Sequence, residues 1–297
     1  MMKSNGIEAW PISGAPRARG HGVEPTEPRP DGGDATPETV GDRREFRLID
    51  VPLKSRGGGV RMAALVARAL LAAASLSATA WADASKPVVV ELFTSQGCSS
   101  CPPADRILGH LADREDVIAL GFHVKYWDRL GWRDRFATEA GTERQYAYRP
   151  ALGRHNVYTP QMVIDGRYDV VGSYAERIEA AIVQANAMSA KRLAVSLVWR
   201  GPTHLAYSLP AGEGAGQIML MRFARKLDQD ISRGENAGRH ISYSNVVREI
   251  VEVGRWDGAA VTGEVEVDTA QDKAGGVALL VQDSRTLRML GAAKLTF

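Results

Sequence analysis

Val88-Val89-Val90-Glu91-Leu92-Phe93-Thr94-Ser95-Gln96-Gly97-Cys98-Ser99-Ser100-Cys101-Pro102-Pro103 contains both cysteines of this 297-residue chain. An apolar run leads into the pair, and a Pro-initiated helical pattern leaves it. Apolar Ala104, Ile107, Leu108 and Leu111 recur at spacings of three and four, predicting a helix over 102–112. Two thiols three positions apart at a helix start can close one disulfide between themselves. The positive end of the helix dipole favours the thiolate at Cys98, leaving Cys101 one turn further in as the resolving thiol. With no other cysteine in the chain, the pair is a redox centre, a small structural staple or half of a metal site. As a staple it closes a loop of two intervening residues, which removes little chain entropy. A closed zinc site needs four ligands, and His110, His123 and His155 stand at no telling spacing. No metal or cofactor is expected.

Upstream, residues 1–61 carry 7 of the 14 prolines and 10 of the 30 glycines, with no apolar periodicity. Such a segment is expected to be disordered, or to come from a start codon placed too far upstream. Arg61-Met62-Ala63-Ala64-Leu65-Val66-Ala67-Arg68 then precedes the apolar Ala69–Leu76 and small-x-small sites at Ala80-Trp81-Ala82 and Ala82-Asp83-Ala84. These are the basic, apolar and cleavage regions of a signal peptide over 62–84, with Met62 as the expected start. The apolar run is too short to span about 30 Å of hydrocarbon, so no stable membrane span is expected after cleavage. The expected location is periplasmic or secreted, where a disulfide persists. The first 82 residues hold 11 of the 37 Lys/Arg and 9 of the 35 Asp/Glu, leaving 26 of each. A body of zero formal charge lacks the electrostatic footprint of a nucleic-acid binder.

Downstream, short apolar runs alternate with helical patterns over 86–190, as in βαβ units. Strands are predicted at 88–94, 117–124, 161–164 and 168–171, the last two joined by the Asp165-Gly166 turn. Helices are predicted at 136–148 and 174–188. From Leu193 the period changes to two, predicting a separate β-rich, mostly antiparallel domain over 193–297. Its expected strands lie near 195–199, 218–221, 261–267, 277–281 and 287–295, with 228–240 as a long polar loop. Tyr126, Trp127, Leu130 and Trp132 form an aromatic loop after the second strand. It is expected to pack against the β-rich part, the alternative being a partner surface.

Tyr158-Thr159-Pro160, ahead of a short strand and hairpin, together with the upstream Cys-x-x-Cys, resembles the thioredoxin superfamily. The strings Glu91–Asp105, His123-Val124-Lys125-Tyr126-Trp127-Asp128-Arg129-Leu130-Gly131-Trp132 and Asn245-Val246-Val247 resemble secreted bacterial proteins grouped as a domain-of-unknown-function family within it. The resemblance implies an α/β thioredoxin-like domain followed by the β-rich domain. It implies a cis Pro160 against the disulfide, with Thr159 offering its backbone to a substrate strand. Glu91 is the implied acid that moves the Cys101 proton; a solvated strand position is the alternative for it. The implied activity is thiol–disulfide exchange with protein thiols or disulfides, with Cys98, Cys101, Pro160, Thr159 and Glu91 as site residues. The competing expectations are a binding protein with a static disulfide and a metal carrier. Gln96-Gly97 before the pair and Pro102-Pro103 after it depart from the usual thioredoxin surroundings.

Overall fold

The strand predicted at 88–94 is the axle of the molecule. In the computed structural model, which describes residues 86–270 and 274–297, β1 (Val88–Thr94) is buried at all seven positions. The expected extension 1–61 and the expected signal peptide 62–84 lie outside the described residues. A run this apolar satisfies both faces of a central strand. β1 pairs parallel with β2 (Val117–His123) and antiparallel with β3 (Gln161–Ile164), and β3 pairs antiparallel with β4 (Tyr168–Val171). Helix α1 (Pro102–Ala112) links β1 to β2, α2 (Glu139–Ala151) lies between β2 and β3, and α3 (Ala175–Asn186) follows β4.

The remaining strands are β5 (Ser196–Trp199), β6 (His204–Leu209), β7 (Gly216–Asp230), β8 (His240–Trp256), β9 (Val261–Glu266), β10 (Gly275–Gln282) and β11 (Met289–Thr296). Most of them extend the same sheet. Its order is β11-β10-β7-β8-β2-β1-β3-β4, beside a separate three-stranded sheet β5-β6-β9. The fold is therefore mixed α/β, with a large, mostly antiparallel sheet and a smaller second one.

Parts of the chain expected as two domains, 86–190 and 193–297, thus share one sheet. The join is the parallel pairing of Gly121 in β2 with Val246 in β8. Asn245 Nδ2 donates to the Ala119 carbonyl at 2.9 Å, adding a side-chain rung where the ladder is short. Gly121 permits the approach: a Cβ there would lie 3.2 Å from Leu108 Cδ2 and 3.3 Å from the Ser244 carbonyl oxygen. An alternating pattern marks an antiparallel strand but carries no information about which edge the strand will meet.

The β7–β8 ribbon corrects the reading of 228–240. Residues 228–230 and 240 belong to its strands, and the connecting loop is 231–239. The distal ribbon pairs Lys226 with Ser244 and Asp230 with His240. The second helix begins at Glu139 rather than near 136, because Asp134 takes the Phe136 amide and the Thr138 hydroxyl caps Gly141.

Side chains of β1 alternate between two cores. Val88, Val90 and Leu92 pack with α1 and α3 through Leu108, Leu111, Ile178 and Ile182. Val89 and Phe93 pack on the opposite face with Tyr148, Phe122 and Phe223. Glu91 belongs to that second face. Its carboxylate accepts from Arg144 Nε at 2.5 Å and from the Tyr148 hydroxyl, and Gln282 Nε2 donates to that hydroxyl at 2.9 Å. Glu91 is fully buried, which overturns the alternative of a solvated position.

Removing one partner of a buried pair leaves an uncompensated charge, at a cost of about 3–5 kcal/mol. Chemical denaturation of Arg144→Met is expected to show a loss of that size. The double variant Glu91→Gln/Arg144→Met is expected to recover much of it.

Candidate functional site

Cys98 and Cys101 are bonded to each other, with Cα atoms 5.4 Å apart, at the carboxyl end of β1. Turn hydrogen bonds shape the loop: the Cys98 amide donates to the Ser95 carbonyl and the Cys101 amide to the Cys98 carbonyl, each at 3.2 Å. Cys101, not Cys98, is the N-cap of α1. Pro102 and Pro103 have no N–H to offer, and the Ala104 and Asp105 amides donate to the Cys101 carbonyl at 2.8 and 3.1 Å. The backbone donors expected to face the Cys98 sulfur are therefore absent or engaged. The Ser100 hydroxyl lies 3.4 Å from Cys98 Sγ. Both cysteines have 0% exposure, against the expectation of an exposed Cys98, whereas Ser99 and Ser100 are exposed.

The loop 231–239 reaches this site from the β7–β8 ribbon. Asn236 Nδ2 donates to the carbonyls of Gln96 and Cys98 at 2.9 and 2.8 Å, across 140 and 138 residues of sequence. The Ser99 amide donates to the Glu235 carboxylate at 3.1 Å. Trp132 Nε1 donates to Gln96 Oε1 at 2.8 Å, while its ring packs on the cluster of Phe136, Ile231, Ile241 and Tyr243.

The Thr159–Pro160 peptide is cis, as the resemblance implied. Trp127 connects it to the cysteine loop: Nε1 donates to Thr159 Oγ1 at 2.8 Å, and a Cβ on Gly97 would lie 3.3 Å from Trp127 Cβ. Tyr126 and Trp127 are half-buried and Leu130 is 51% exposed. The aromatic loop thus largely packs inward, with one apolar tip outside.

Behind the cysteines lies the group that sequence reading missed. Asp105 stands one helical turn after Cys101, on the buried face of α1. The Thr94 hydroxyl donates to its Oδ1 at 2.8 Å, and Oδ2 has no partner among the described residues. Burial pushes its carboxyl up to about 7, against the opposing pull of a charged His123 and the Thr94 hydrogen bond. Its spacing gives the signal: i+4 from Cys101 and i−3 from Leu108 puts it on the apolar stripe.

Glu91, the acid implied by resemblance, sits across the sheet, held by Arg144 and Tyr148, whereas α1 covers the other face. The structure gathers Cys98, Cys101, Thr159 and Pro160 around one end of the sheet and leaves Glu91 in the opposite core. The difference arises from β-strand alternation, which sends adjacent residues to opposite faces.

At the end of β2, His123 Nδ1 is hydrogen-bonded to Asp134 Oδ2 at 2.7 Å. Burial pushes Asp134 up, but the His123 charge and the Gln96 and Phe136 amides outweigh it and hold the group below the usual range. His123 Nε2, Tyr243 Oη, Gln96 Nε2 and Asn236 Oδ1 are buried without partners among the described residues. Each such group costs about 1–3 kcal/mol in a finished core, so their concentration here distinguishes the site from the ordinary interior. No group of three or more His, Cys, Asp or Glu among the described residues is placed to hold a metal.

The family profile described as a protein of unknown function, DUF1223, matches residues 89–282, the span that includes the cysteine loop, Thr159-Pro160 and Asn236. The chain belongs to the DUF1223 family. The crystal structure of protein AGR_C_4864 from Agrobacterium tumefaciens shares 34% identity and a TM-score of 0.63, over 72% of this chain and 96% of that one. HBP35 of Porphyromonas gingivalis is 14% identical with a TM-score of 0.53, over 72% and 76% of the two chains, a likeness of fold alone. No curated protein matches. In this DUF1223 chain, no helix among the described residues is long and apolar enough to cross a membrane.

Two hydrogen bonds of about 0.5–1.5 kcal/mol each hold Asn236 across the cysteine loop. Asn236→Ala is expected to speed reduction of the disulfide by dithiothreitol roughly five- to hundredfold, as followed by thiol alkylation. Its far-UV circular dichroism should stay unchanged.

Proposed function

We propose that this DUF1223 protein is an exported thiol–disulfide exchange protein on a thioredoxin-like scaffold, acting on protein thiols or disulfides in the periplasm or outside the cell. The observation that carries the reading is Asp105, one turn below Cys101: a buried carboxyl with one oxygen held by the Thr94 hydroxyl and the other without a partner among the described residues, pushed by burial up to about 7. A carboxyl at that place and of that acidity suits transfer of the Cys101 proton near physiological pH. The scaffold reading is supported by the order β2-β1-β3-β4, with β1 and β2 parallel, β3 antiparallel, and helices after β1 and β4. The cis Thr159–Pro160 bond, tied to Gly97 through Trp127, supports it further.

The chemistry is a two-electron exchange. In the oxidising direction a partner thiolate attacks Cys98 Sγ, the Cys98–Cys101 bond breaks, and the Cys101 thiolate takes a proton from Asp105. A second partner thiolate then attacks its own mixed disulfide, and Cys98 leaves as thiolate. The reverse sequence reduces a partner disulfide: Cys101 gives its proton to Asp105, attacks Cys98 Sγ and expels the partner thiolate. Thr159 borders the partner's approach, and Pro160 shapes it.

A second reading, a binding protein with a permanent disulfide, draws on the full burial of both sulfurs beneath Asn236. Export of a Cys101→Ser variant separates the two. Exchange predicts proteins disulfide-linked to Cys98 that are released by reductant and absent from Cys98→Ser/Cys101→Ser. No linked protein would favour the permanent disulfide.

A further inference from the structure

We propose that loop 231–239 is an autoinhibitory strap: it occupies the main-chain groups of the cysteine loop on which an extended segment of the partner docks, so that strap and partner exclude each other. The proposal rests on the exchange reading and adds to it a docking edge and a gate.

Hydrogen bonds within the strap make it one unit at the end of the β7–β8 ribbon. The Ile231 amide donates to the Arg239 carbonyl at 2.9 Å and the Gly238 amide to the Ile231 carbonyl at 2.7 Å, closing its base. Across it, the Arg239 amide donates to the Asn236 carbonyl and the Ala237 amide to the Gly234 carbonyl, each at 3.1 Å. Ile231 roots the base in the cluster of Phe136, Ile241 and Tyr243. Beyond that root, Asn236 is the one buried residue of 232–239, at 1% exposure.

What the strap holds is main chain. Asn236 Nδ2 is the donor for the Gln96 and Cys98 carbonyls, and Glu235 Oε2 is the acceptor for the Ser99 amide. Two acceptors and one donor on a short stretch of backbone match what an extended peptide offers when it pairs with another chain. The strap supplies those bonds from side chains instead. Its seat is imperfect, because Asn236 Oδ1 is buried without a partner among the described residues, a cost that lifting relieves.

Both cysteines have 0% exposure, so a thiolate reaches Cys98 Sγ only after a neighbour moves. Helix α1 is fixed in one core through Ala104, Leu108 and Leu111. Trp127 packs on the other core and is bonded to Thr159. The strap, pinned by one buried side chain and one exposed carboxylate, is the neighbour with least to break, and local opening follows the weakest contacts. Once it lifts, the partner thiolate attacks Cys98 Sγ. The Cys98–Cys101 bond breaks, its electron pair leaves on Cys101 Sγ, and that sulfur takes a proton. The partner's backbone then replaces Asn236 and Glu235 on the freed groups.

The gate is tested on the oxidised protein with two thiols, mercaptoethanol and a capped extended peptide with a central cysteine. Asn236→Ala is expected to speed opening of the disulfide by both, by one common factor of roughly five- to hundredfold. Hydrogen exchange of the Ser99 amide, which Asn236 does not touch, should rise by that same factor. A gain for the peptide alone, or an unmoved Ser99 amide, overturns the gate and leaves the exchange reading intact. A bond that neither thiol opens in any variant overturns both. Should Asn236→Ala fail to fold, Gly238→Ala decides in the same way: φ is +81° there and nothing lies within 4 Å of an added Cβ, so the change strains the closed strap alone.

The docking edge is tested in Glu235→Ala/Cys101→Ser, with either thiol joined to Cys98 as a mixed disulfide. The Ser99 amide is expected to exchange about fivefold or more slowly with the peptide attached than with mercaptoethanol. Equal exchange in the two adducts overturns docking on this edge.

Discussion

The seam between β2 and β8 organises the protein. One parallel rung at Gly121–Val246, reinforced by Asn245 on the Ala119 carbonyl, fuses an α/β half and a β-ribbon half into one sheet. From that anchor the ribbon that β8 forms with β7 reaches the carboxyl ends of β1 and β2, where the disulfide lies. Tyr243 reaches His123, Trp132 packs onto the ribbon, and Asn236 spans the cysteine loop. The small second sheet β5-β6-β9 completes a separate core around Trp256 and Leu279, away from this site.

Two carboxylates near the start of the described residues show how burial assigns roles. Glu91 and Asp105 are both buried, but Glu91 is matched by Arg144 and a tyrosine hydroxyl, as a structural ion is. Among the described residues Asp105 has one hydroxyl donor and no ion-pair partner, and burial pushes it up to about 7. A buried carboxyl without a full counter-charge is costly to stability, and such costs concentrate where chemistry is done.

Elements bounded by strong punctuation were legible in the sequence. β1, α1, β3 and β4 fall where apolar runs meet Gly, Pro or Asp-Gly, and their residue ranges match the predicted ones. β8 was not legible, because its 17 residues carry Arg248, Glu249, Glu252 and Arg255, and its distal end is paired only to β7. Distally only Ile241 and Tyr243 are buried on one face, an alternation too short to stand out from the polar residues around it. The pair Cys98/Cys101 and the Thr159-Pro160 bond were readable as motifs. Asp105 was not, since an acid in a first helical turn also suits the helix dipole. Nor was Asn236, whose role depends on a contact spanning 138 residues.

The account stands on the claim that the Cys98–Cys101 disulfide exchanges. Its reduction potential, measured by equilibration with glutathione across neutral pH, tests that claim most directly. A potential more oxidising than about −300 mV is the predicted result, as for labile and catalytic disulfides. A value below that, with the bond untouched by thiols near neutral pH, would contradict the account.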